Sequence, residues 1–189
     1  MSDQTDPTTV RPSPPRRRAL GALVLTGVAA LGAGVWFARQ RDHRPQAGEP
    51  LPPDFWSHQF DTLSGTPLAL SQHQGHPLLI NFWATWCPPC VREMPELQRF
   101  HEAYQAKGWQ VIGLAIDGPT PVREFLDKTK VGFPIGLAGF GGTELATALG
   151  NRSGGLPFSV LIDSHGRLRQ RKMGALGLDD LHLWASGLD

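Results

Sequence analysis

The chain opens with 18 polar residues, rich in Pro, Thr and Ser, that end in Arg16-Arg17-Arg18. Such a stretch carries too little apolar surface to order itself. From Ala19 to Ala38 there follow 20 residues without a charge. Rising about 1.5 Å per residue as a helix, this run spans about 30 Å, the thickness of a bilayer hydrocarbon core. Trp36 and Phe37 stand at its far end, where aromatics favour the interface, and Arg39 and Arg41 close it. A cleaved signal peptide and an uncleaved anchor both fit the pattern, and the arginines also permit a twin-arginine export signal. The length of the run and the poor cleavage context at Trp36–Arg39 favour an anchor over residues 19–38. Three clustered arginines before the span predict a cytoplasmic N-terminus, with the rest of the chain outside.

Residues 39–53, with prolines at 45, 50, 52 and 53, read as a linker, and residues 54–189 suit one compact domain. Apolar runs broken by Ser64-Gly65-Thr66-Pro67 predict a small hairpin within Phe55–Leu70. Pro77–Ala84 is nearly continuously apolar, as expected of a central strand buried on both faces. A helix is predicted from Pro88 to about Ala106, kinked by Pro95 and stopped by Gly108. Further strands are predicted over Gln110–Ile116, Phe133–Leu137, Phe158–Ile162 and Arg167–Met173, the last two joined by Ser164-His165-Gly166. Helices are expected over Pro121–Thr129 with Thr120 as N-cap, over Thr143–Leu149, and over Leu178–Ser186. Strands alternating with helices and ending in a hairpin give an α/β fold, a mixed central sheet covered on both faces.

Composition narrows the chemistry. The 189 residues are 40% hydrophobic and 19% charged, enough for a packed core. The net charge of +1 hides an asymmetry. Seven of the 18 Lys and Arg precede residue 45, so residues 45–189 carry eleven basic and fourteen acidic groups. That balance argues against nucleic acid as a partner. Two cysteines exclude a disulfide-rich scaffold and a four-cysteine zinc site.

Those cysteines stand as Trp86-Cys87-Pro88-Pro89-Cys90, where a predicted buried strand gives way to a helix. Unpaired N–H groups and the helix dipole there stabilise a thiolate at Cys87. Cys90, one turn along, can attack a mixed disulfide formed at Cys87. A structural disulfide closing so small a loop would restrict the unfolded chain little. Haem attachment needs His after the second Cys, and residue 91 is Val. Copper(I) on the bare dithiol stays open, since soft thiolates suit it. Pro88 and Pro89 both lack an N–H, so only the Cys90 N–H and the dipole favour the Cys87 thiolate, and its pKa should fall only modestly.

Asn81-Phe82-Trp83-Ala84-Thr85-Trp86-Cys87-Pro88-Pro89-Cys90, followed by Glu93-Met94-Pro95, resembles the membrane-anchored TlpA/ResA-like thioredoxin family, over roughly residues 51–187. The resemblance implies a thioredoxin fold with an added N-terminal β-hairpin and a thiol–disulfide oxidoreductase, most often a protein-disulfide reductase, for example in cytochrome c maturation or copper-site assembly. An oxidant or isomerase running the same steps in reverse is the alternative within that chemistry; a copper(I) chaperone is the alternative outside it. No cofactor is implied.

The resemblance also carries single residues. Pro157, in Gly155-Leu156-Pro157-Phe158, matches the family's cis-proline, which would hold the Leu156 backbone ready for an extended substrate segment; Phe158 departs from the Thr more usual there. Ordinary thioredoxins bury an Asp where this chain has Asn81, which cannot shuttle a proton. Glu93, three residues after Cys90, matches the family's Glu and would serve the sulfurs as proton donor and acceptor. Trp86, Pro88, Pro89, Leu156 and Pro157 are the expected substrate-contacting residues, with Trp86 also screening Cys87 from water and Trp83 packing beneath the motif. His73, His76 and His101 read as polar surface. Partners implied are disulfide-bearing proteins and a membrane electron donor of the DsbD/CcdA type, met by a monomer on the periplasmic side of the bacterial inner membrane.

Overall fold

In the computed structural model residues 48–188 are described. The tail 1–18, the segment 19–38 and the linker up to residue 47 lie outside them. Among the described residues no helix is long and apolar enough to cross a membrane.

The strands are β1 (Glu49–Pro50), β2 (Gln59–Phe60), β3 (Leu68–Ala69), β4 (Leu78–Trp83), β5 (Gln110–Ala115), β6 (Ile135–Leu137), β7 (Phe158–Ile162) and β8 (Arg167–Met173). The helices are α1 (Pro88–Tyr104), α2 (Pro119–Lys128), α3 (Gly139–Ala148) and α4 (Leu178–Ser186). Six strands form one mixed sheet in the order β1-β8-β7-β4-β5-β6. Strands β4, β5 and β6 run parallel, whereas β7 lies antiparallel to both β4 and β8. Strands β2 and β3 pair as the expected small hairpin, which the Asp61–Leu137 bridge ties to β6.

Strand β4 is buried at all six positions because helices cover both faces of the sheet. Its side chains alternate. Leu79 and Trp83 join Met94, Leu97 and Phe100 of α1 and Leu181 and Trp184 of α4 in one core. Leu78, Ile80 and Phe82 join the hairpin's Phe60 and Leu68 and α3's Leu145 in the other. The odd-numbered face of β4 therefore looks toward α1, and Asn81 lies on it.

The structure shifts several boundaries. Glu49–Pro50, within the predicted linker, adds an edge strand to β8, and Arg171 Nη2 meets Glu49 Oε2 at 2.6 Å. Helix α2 begins at Pro119 with Gly118 as N-cap, not at Pro121 after Thr120. Both prolines fit the first turn, where N–H groups lack helical partners anyway. Helix α3 starts at Gly139, four residues before the predicted Thr143. Helix α1 runs through Pro95 and ends in a 3₁₀ turn before Gly108, whose φ of 85° supplies the left-handed stop.

Candidate functional site

The site begins where β4 ends. Thr85 is braced from β5's end: its backbone N–H and hydroxyl both donate to Asp117 Oδ2, at 2.9 and 2.6 Å. Two residues later Cys87 is the N-cap of α1, with Pro88 and Pro89 as the first helical residues. The sulfur of Cys87 accepts from the Cys90 N–H at 3.3 Å, the donor that the double proline leaves available. Cys87 and Cys90 are joined by a disulfide of 2.04 Å. Both cysteines are buried, Cys87 at 5% exposure and Cys90 fully, so Cys87 is the one of the pair that retains some access to solvent. Trp83, Met94 and Leu176 belong to the same apolar cluster as the pair.

Glu93 is one turn further on, and it is buried at 2% exposure rather than solvated beside Arg92. Its Oε1 accepts from Asn81 Nδ2 at 2.7 Å, and its Oε2 accepts from the Leu176 N–H at 2.8 Å. Burial pushes the carboxyl up to about 7, against the pull of the Leu176 and Asn81 hydrogen bonds and the more distant Lys172 charge. A carboxyl in that range can both take and return a proton near neutrality.

The Leu156–Pro157 peptide bond is cis. Leu156 packs against the core that contains the cysteines, and the Pro157 carbonyl accepts from the Gly174 N–H at 2.8 Å. Trp86 is 65% exposed, a rim residue whose ring stands mostly in solvent. Trp83 is fully buried and stacks at a tilt on Phe125. Pro88 is exposed and Pro89 half-buried.

Two histidines are not the polar surface expected. His73 is buried, with Nδ1 2.9 Å from Gln110 Oε1, and burial lowers its pKa. His101 is half-buried, edge-on to Phe133, its pKa also lowered by burial. Sequence reasoning missed Asp117, Ser159 and Leu176, and assigned Asn81 no role. The one local signal was Asn81 itself, a lone polar residue in an apolar strand.

Comparison with known proteins places this arrangement. The chain is 32% identical over 118 residues to a thiol-disulfide oxidoreductase ResA of Halalkalibacterium halodurans; the aligned stretch covers 62% of this chain and 65% of that protein. The chain thus spans slightly less than two thirds of that relative's length. A ResA of Geobacillus thermodenitrificans is 28% identical over 160 residues, covering 84% of this chain and 88% of that protein. Among solved structures, a thiol:disulfide interchange protein of the thioredoxin family from Chlorobium tepidum superposes with a TM-score of 0.63 at 24% identity, covering 77% of this chain and all of that one. That likeness establishes the thioredoxin-like fold. The Redoxin family model matches residues 46–181, from within the linker into α4, and on that match the chain belongs to the Redoxin family.

Proposed function

We propose that the chain is an extracytoplasmic thiol–disulfide oxidoreductase that reduces protein disulfides through Cys87 and Cys90. The observation that carries this reading is the Cys87-Pro88-Pro89-Cys90 disulfide at the α1 N-terminus, with Cys90 fully buried, Cys87 slightly exposed, and a buried proton-exchanging carboxyl a turn behind. In the reduced state the Cys87 thiolate attacks a substrate disulfide. A Cys87–substrate disulfide forms and one substrate sulfur leaves, taking back from water the proton that Cys87 released on ionising. Cys90 then gives its proton to Glu93 and attacks the Cys87 sulfur. The second substrate sulfur departs and recovers that proton. Two electrons and two protons have passed to the substrate, and the Cys87–Cys90 disulfide remains.

Regeneration requires a dithiol donor, because an oxidising compartment supplies none. A membrane electron carrier of the DsbD/CcdA type fills that role, and residues 19–38 keep the domain beside it. Trp86, Pro88, Pro89 and the Leu156–Pro157 segment form the surface that a substrate meets. Cytochrome c apoproteins and copper-site proteins are the substrate classes that suit this location.

The test is the reduction potential of the full chain in detergent, equilibrated in graded dithiothreitol buffers. A value near or below about −270 mV supports a reductase, whereas one near about −120 mV marks an oxidant and sinks the proposal. Pro88→His adds an N–H beside Cys87 and should raise the potential. An unchanged value would show that the missing proline donors do not set it.

A further inference from the structure

Strand β4 is apolar at every position but one. Asn81 lies in it fully buried, on the face that looks toward α1. A buried carboxamide without partners is strongly disfavoured, so its contacts matter. Nδ2 donates to Glu93 Oε1 at 2.7 Å and to Ser159 Oγ at 3.0 Å. Ser159, also fully buried, is the register partner of Asn81 on β7. Oδ1 has no partner among the described residues, so the amide's hydrogen bonding is directed wholly to this pair.

Ser159 stands two residues after Pro157. The Pro157 carbonyl is bonded to Gly174, and Leu176, two residues beyond, donates to the second oxygen of Glu93. Ser159, Asn81, Glu93 and the 174–176 backbone thus close a ring of links that returns to Pro157. We propose that Asn81 is a positioning residue for proton transfer at Glu93: its amide, shared with Ser159, fixes the carboxyl between β4 and the segment after β8 and favours its ionised form. The inference rests on the reading of Glu93 as the proton acceptor.

The residue type fits the task. Leucine would leave the ionised carboxyl with the Leu176 N–H as its remaining donor here. Aspartate would set a second carboxyl against the first. Asparagine supplies a neutral donor of the right length. The charged group acting on Glu93 is Lys172 of β8, which meets Asp180 of α4 at 2.7 Å; in the reduced chain the thiols of Cys87 and Cys90, at the start of its own helix, join it.

The experiment is the pH dependence of thiol–disulfide exchange between the reduced full chain in detergent and oxidised glutathione. The inflection that Glu93→Gln removes belongs to Glu93. Asn81→Leu should move it up by about one pH unit, the difference between a charge-assisted and a neutral hydrogen bond. Asn81→Asp should move it further, and Ser159→Ala less, in the same direction. Aspartate matches asparagine in shape, so a residue that merely packs would make Asn81→Asp the mildest change. Should Asn81→Leu fail to fold, Asn81→Asp and Ser159→Ala still decide. An inflection that belongs to Glu93 and stays in place in these variants overturns the inference and leaves the Glu93 reading standing. A wild-type profile that Glu93→Gln does not alter overturns both.

Discussion

Glu93 holds its proton more tightly in the folded chain than an ordinary carboxyl does, because burial disfavours its charge. The consequence for stability has a definite sign. Between the ordinary value of 4.5 and about 7 the native state binds more protons here than the unfolded chain. Stability from this group is therefore full below about 4.5, falls as pH rises, and levels off above about 7. The span corresponds to about 3 kcal/mol. Glu93→Gln carries no such proton, so urea unfolding of the oxidised chain at pH 4.5 and pH 8 should show wild type losing about 3 kcal/mol more than the variant. Equal losses would mean that Glu93 ionises as freely folded as unfolded. The cysteines and Glu93 are legible in the sequence because one contiguous motif places them on a single turn and a half of helix. Asn81, Asp117, Ser159 and Leu176 are not, since their roles come from partners 12 to 83 residues away in the chain.

At the scale of elements, β4, β5 and β7 follow from apolar runs alone, and α4 keeps its predicted bounds of Leu178–Ser186. Helix α3 does not, because glycine weighs against a helix in any propensity argument and its first turn is Gly139-Phe140-Gly141-Gly142. Tertiary packing overrides propensity there. A Cβ on Gly142 would press on the Cβ of Ala138 and come 2.6 Å from Ile116 Cδ1, whereas one on Gly141 would meet nothing within 4 Å. The two positions should respond oppositely to alanine. At Gly141 the helix gains up to about 1 kcal/mol in propensity. At Gly142 overpacking of about 1–3 kcal/mol outweighs that gain. Urea midpoints for Gly141→Ala above wild type and Gly142→Ala below it are expected. A stabilised Gly142→Ala would show that α3 does not need a close approach to β5's end.

At the scale of the whole molecule, the proposed anchor over residues 19–38 would bear on the site through the chain that follows it. Ten residues, 39–48, stand in the sequence between Ala38, where the apolar run ends, and Glu49, where edge strand β1 starts. Even fully extended these reach about 35 Å. On the proposed topology, a domain on so short a lead would meet partners in or near the bilayer far more often than soluble ones, as recharging by the proposed membrane donor requires. The charge asymmetry accords with that proposed topology, since a basic flank before an apolar span favours the cytoplasmic side. In bacterial cells the full chain should stay with the membrane through carbonate extraction, and deletion of residues 19–38 should release it. Intact spheroplasts treated with a membrane-impermeant reductant and an impermeant maleimide should show Cys87 labelled. Labelling that appears only after lysis would put the domain in the cytoplasm, where reduced thioredoxin is plentiful, and the argument for a dedicated membrane electron supply would fall with the topology.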